Sequence, residues 1–178
     1  MALTPPASEG PAPLSFWVGP IDTRPLGLMR ITFGLTLVWA ILNVAPVLRD
    51  LLSEDGVLPR SALLSGVARG ARFSIFDAAG PVWVTWLFFG AAVLAAGAFT
   101  VGFRTRAATV ATFVLVTGLH ERNPSVFDGA DNVIRVLLFF LMFAPAGDHY
   151  SVDAVLRPAN EPPRARSAFT TRLVELQS

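Results

Sequence analysis

Cysteine and lysine are both missing from the 178 residues, and histidine occurs only twice. Without cysteine there is no thiol nucleophile, no disulfide and none of the usual cysteine-rich zinc sites. Without lysine there is no Schiff base and no lysine general base within these residues; all fourteen basic residues are arginine. A metal site built on His120 and His149 would need carboxylates to complete it, and none is expected. Charge is scarce as well. Only 15% of the residues are charged, whereas about a quarter are in ordinary soluble domains. With a net charge of +1 and no arginine cluster to track a phosphate backbone, nothing points to nucleic acid.

Apolar residues fill that space. They make up 53% of the chain, and the mean hydropathy is +0.55. Apolar runs lie near residues 25–48, 82–102, 106–121 and 130–146. At 1.5 Å per residue the first two are long enough to cross a hydrocarbon core, while the last two are short unless their helices extend into the polar passage between them. The pattern predicts an all-α, polytopic transmembrane helical bundle of about four spans with short interfacial helices. Pro25 suits the first turn of the first span, and Pro46 marks its far end.

The flanks divide the chain further. Residues 1–21 are rich in Pro, Ala and Ser, with no basic flank before an apolar core. They read as a disordered or interfacial lead-in rather than a secretory signal, with Phe16 and Trp17 at the membrane surface. Residues 22–156 form the membrane domain. Within it, the linker after the first span carries one or two helices lying at the interface. "GDHYSVDAVLRP" reads as a turn and a short helix capped by Ser151. Residues 157–178 are a loop and the start of a further helix. Gly90 and Gly97, with Ala91, Ala92, Ala95 and Ala96, give the second span a small-residue surface suited to close helix approach. The "FRTR" hairpin against the single Arg122 favours a cytoplasmic N-terminus.

The passage "LHERNPSVFDGADNVIR", residues 119–135, interrupts this apolar scheme. Asp128, Asp131, Asn132 and Arg135 are spaced i, i+3, i+4 and i+7, so a helix beginning near Asp128 carries all four on one face. One reading is structural: an Asp cap, a dipole partner and an Asp131–Arg135 ion pair. The other is a site, because Arg135 lies inside the apolar run. An arginine at mid-bilayer costs at least about 2.5 kcal/mol and normally faces a partner or a wet cavity. Arg30, five residues past Pro25, either snorkels to the interface or reaches a carboxylate in the bundle. His120 and Glu121 end the third helix, and Arg122, Asn123 and Pro124 follow as its stop. His120 is a proton carrier or a helix-terminal cation. His149 and Asp153 belong to the turn after the fourth span.

The segments "RPLGLMRITFGLTLVW", "EDGVLPR", "GFRTR" and "HERNPSVFDGADNVIRVLLFFLMFAPAGDHYSVD" occur here in the order seen in the horizontally transferred transmembrane (HTTM) family. That family includes the membrane part of vitamin K-dependent gamma-carboxylase, and this chain resembles its N-terminal portion over about residues 22–178. The resemblance implies a multi-span bundle. In carboxylase members it also implies oxidation of a reduced quinone coupled to carboxylation of protein glutamate. It carries the polar passage over as cavity lining for an amphipathic ligand, a vitamin K-like quinone or a lipid. It does not carry over the base, which in carboxylases is a lysine just beyond a helix start resembling "TRLVELQ". A histidine near the start of the fourth span is replaced by the "DGADN" region. The alternative is a non-enzymatic accessory protein whose polar hairpin recruits a secreted peptide or protein, as some bacterial members resemble. Both alternatives place the chain in a lipid bilayer, expected to be a bacterial cell membrane.

Overall fold

The computed structural model describes residues 23–52, 82–122 and 129–157. Within them the chain is helical, with no strand among the described residues. Helix α1, Arg24–Val44, passes through one 3-10 turn at Ala45–Val47 into the short α2, Leu48–Leu52. Helix α3 is Val82–Val101, α4 is Thr105–Arg122, α5 is Gly129–Phe143 and α6 is Val152–Val155. The expected lead-in, the interfacial helices of residues 53–81 and the segment 158–178 lie outside the described residues.

Pro25 sits in the first turn of α1 as expected, where a missing N–H costs nothing. Pro46 marks the end of the regular α-helix as expected, since α1 stops at Val44, but the helical path continues through the 3-10 turn that contains it. Ala45 N–H donates to Leu42 O and Leu48 N–H donates to Ala45 O. These i→i−3 bonds tighten the turn around the absent proline donor. The rod therefore continues to Asp50. Among the described residues two helices, Arg24–Asp50 and Val82–Val101, are long and apolar enough to cross a membrane.

The connection from α3 to α4 is three residues long. Gly102 has φ +73°, Gly102 N–H donates to Phe99 O, and Phe103 N–H donates to Ala98 O. This is a Schellman closure, which needs a residue tolerant of the left-handed region at Gly102. A Cβ there would also strike Ser151 and the Arg30 guanidinium. So short a turn makes α3 and α4 antiparallel neighbours.

Packing follows chain order: α1 lies on α3, α3 on α4, and α4 on α5. Thr85, Phe89, Ala92, Ala96 and Phe99 form the buried face of α3, and Phe33 of α1 meets Phe99 edge-on. Buried Thr100, Thr109 and Thr112 each donate to a carbonyl four residues back, so their hydroxyls need no other partner. Ala92 and Ala96 take the small-residue role expected of them. Gly90 and Gly97 do not, because a Cβ on either would meet open space. The close approach lies instead at Gly34 of α1, where a Cβ would stand 3.0 Å from Thr100 Cα. Gly34→Val is expected to wedge α1 from α3 and cost about 1–3 kcal/mol. Gly97→Ala is expected to be neutral. Thermal melts of the helical circular dichroism of both variants test the contrast.

The outer surface of the helices carries large apolar side chains. Leu35, Trp39, Trp83, Leu87 and Leu94 are all more than half exposed. Helix α4 extends through the start of the polar passage to Arg122, and α5 begins at Gly129. Helix α5 stops at Phe143, short of the expected 146, because the residue before Pro145 is held out of the helical region. With 18 and 15 residues, α4 and α5 measure about 27 and 22 Å.

Candidate functional site

The polar passage is built where α4 ends and α5 begins. Asp131 falls in the first turn of α5, where the helix dipole favours a carboxylate. Its Oδ1 lies 3.3 Å from His120 Nε2 on α4. One turn further along α5, Arg135 donates to Glu121 Oε1. Two pairs therefore bridge the same two helices, and all four side chains are about three-quarters or more buried. Arg122, the last residue of α4, is fully buried.

The expected shared face is narrower than the spacing implies. Asn132 is exposed, pointing away from the face that turns Asp131 and Arg135 toward α4. Asn123 and Asp128 lie outside the described residues. Thr85 and Thr117 escaped the sequence reading. Antiparallel packing puts Thr85 at the level of Arg122, since the two lie 17 and 18 residues from the α3–α4 turn at Gly102 and Arg104. Both threonine hydroxyls are buried with no hydrogen-bond partner among the described residues. Nothing in the local sequence separates them from the self-satisfied threonines of the core.

The remaining candidates gather at the other end of the bundle. Arg30 is fully buried, so it does not snorkel, and it makes no direct carboxylate pair among the described residues. Its guanidinium donates to Ala146 O and Tyr150 O, with His149 O at 3.5 Å. It ties α1 to the turn after α5. His149 enters through its carbonyl, while its ring tilts against Tyr150.

Asp153 organises the same end. Its carboxylate accepts from Arg104 N–H at 2.7 Å, Thr105 N–H at 2.7 Å and the Thr105 hydroxyl at 2.8 Å. It thus satisfies orphan donors at the start of α4 from 48 residues away. Its own N–H donates to Gly102 O. Burial pushes the Asp153 carboxyl up. The bonds from Thr105 and Arg104 and the nearby Arg30 charge outweigh it, and the group is held below its ordinary value. Ser151 caps α6 as expected, accepting from Ala154 N–H at 2.9 Å, and donates to Gly147 O.

The residues singled out in the sequence therefore form two groups at opposite ends of α4, roughly 25 Å apart. At the Arg30 end the acceptors are backbone carbonyls and a carboxylate already occupied by donors, an arrangement that holds the fold. At the His120 end, imidazole, carboxylates and guanidinium meet across two helices, an arrangement able to bind a polar head and hold a proton. Among the described residues, no three His, Asp or Glu side chains cluster to hold a metal ion. No family model, no curated protein and no solved structure matches this chain.

Proposed function

We propose that this chain is an integral membrane protein that binds the polar head of an amphipathic ligand, a quinone or a lipid, at the α4–α5 end of its bundle. The observation that carries the reading is the pair of bridges, His120–Asp131 and Glu121–Arg135, set beside buried Arg122 in a molecule whose exterior is apolar. Helices apolar on every side belong in lipid, and ionisable groups kept at membrane depth mark ligand or proton paths. In this reading α1 and α3 cross fully. Helices α4 and α5, shorter than the roughly 30 Å core, bring their polar ends inside the bilayer boundary. A cytoplasmic N-terminus puts Arg24, Arg104, Arg106 and Arg157 inside and the His120 cluster toward the far face.

A hydroquinone or lipid head would meet Arg135 as a charge-assisted donor and the His120–Asp131 pair as a proton acceptor. The resemblance to the HTTM and gamma-carboxylase family agrees with such a ligand, and the reading includes binding rather than carboxylation. Quenching of tryptophan fluorescence by a short-tailed naphthoquinone, titrated into the purified full chain, measures it. Arg135→Leu is expected to raise Kd at least about tenfold with the helical signal unchanged. Normal binding by that variant would overturn the reading. If the quinone failed to bind and a secreted peptide co-purified in a hairpin-dependent way, the accessory role would replace it.

A further inference from the structure

The turn end of the bundle holds a cleft of about 450 Å³ between the start of α4 and the segment after α5. Arg104, Arg106 and Arg157 line it above an apolar floor that includes Leu141, Pro145 and Leu156. We propose that this cleft binds the phosphate of an anionic phospholipid headgroup. The proposal shares with the function above only the placement in a membrane, and lies at the opposite end of α4.

Three observations carry it. The first is charge. Two aspartates also line the cleft, but both are engaged: Asp148 pairs with Arg157 at 3.0 Å, and Asp153 is saturated by the start of α4. The exposed guanidinium groups of Arg104 and Arg106 are paired with no acidic group among the described residues. The lining therefore sets three arginines against two aspartates, and among the described residues neither Arg104 nor Arg106 is ion-paired with either one.

The second is backbone cost. Arg104 adopts φ +43°, a conformation in which glycine is the cheap residue and a Cβ is penalised. Placing an arginine there sets its side chain over the cleft at a conformational cost, as functional positions do.

The third is position. Leu156 in the lining, and Phe143, Tyr150 and Val155 within two residues of lining residues along the chain, are all more than half exposed, Val155 at 84%. An apolar skirt beneath cationic side chains is the arrangement that sits at the headgroup boundary. The arginines would lie level with phosphates, and the floor would lie against the first acyl carbons.

The test uses the full chain in nanodiscs of equimolar phosphatidylglycerol and phosphatidylcholine. The ratio of the two lipids retained on the protein is read by native mass spectrometry. Phosphatidylglycerol is expected to be enriched, and the enrichment is expected to fall about fivefold for each guanidinium removed in Arg104→Gln and Arg106→Gln. Arg49→Gln, which removes the same charge near the other end of the bundle, is expected to leave it unchanged. Helical circular dichroism confirms that the surface variants fold. Absence of enrichment in the wild type, its persistence in the Arg104→Gln/Arg106→Gln double variant, or an equal loss in Arg49→Gln would overturn the proposal. Inorganic phosphate binding to the wild type in pure phosphatidylcholine, with the same arginine dependence, would overturn the lipid assignment in favour of a soluble phosphate. A chain that binds naphthoquinone yet shows no lipid preference fails this proposal alone.

Discussion

Arg30→Leu is expected to destabilise the protein by about 2–4 kcal/mol, the cost of deserting one buried and one partly buried carbonyl. Arg30 lies six residues into α1, about 9 Å along its axis, and is fully buried. Leucine would pack acceptably against the bundle but would abandon the carbonyls of Ala146 and Tyr150. The Ala146 carbonyl, buried away from water, would find no substitute donor. Asp153 would also lose the positive charge that faces it. Arg30→Lys is expected to recover only part of the loss, because a single ammonium cannot reproduce the planar fork between two carbonyls. Unfolding of the detergent-solubilised chain, followed by circular dichroism, gives the comparison. A leucine variant within about 1 kcal/mol of the wild type would mean that these carbonyls do not depend on Arg30.

Asp153→Ala is expected to cost about 1–3 kcal/mol, because it deserts two N–H groups and a hydroxyl at the start of α4. Asp153→Asn keeps an acceptor oxygen but drops the charge, and should fall between alanine and wild type. The two sites share one network, so the cost of the Arg30→Leu/Asp153→Ala double variant should be less than the sum of the singles. The pH dependence has a definite sign. A carboxyl whose folded pKa is depressed contributes stability that is fully present above its unfolded value, about 3.9. That stability is lost as pH falls through the lower folded value. Acidification below about pH 4 should therefore erode the wild type more steeply than Asp153→Asn. Parallel acid-unfolding curves would refute the assignment.

The polar passage shows how far spacing alone can go. The i, i+3, i+4, i+7 rule placed Asp131 and Arg135 on one face, and they do share one. It could not tell that this face turns toward α4, so that Asp131 meets His120 and Arg135 meets Glu121. It also grouped Asn132 with them, although a 100° step per residue is enough to carry Asn132 to the exposed side. Pro46 taught a similar lesson, because one tightened turn satisfied the carbonyl that its missing N–H left behind.

The sequence by itself determined that the chain is helical, where α1 and α3 lie, that Pro25 begins a helix and that Ser151 caps one. These properties depend on apolar run length, on turn chemistry and on bonds spanning four residues or fewer, so a local window contains all the causes. Tertiary structure alone decided which glycine lies at the close helix contact, what Arg30 holds, which helix Asp153 caps and how the candidate residues divide between two ends. Arg30 meets acceptors 116 and 120 residues away, and Asp153 meets donors 48 and 49 residues away. Such partners are selected by how the turns dock once the helices have packed, and the strength of a buried hydrogen bond depends on that docking rather than on the residues between.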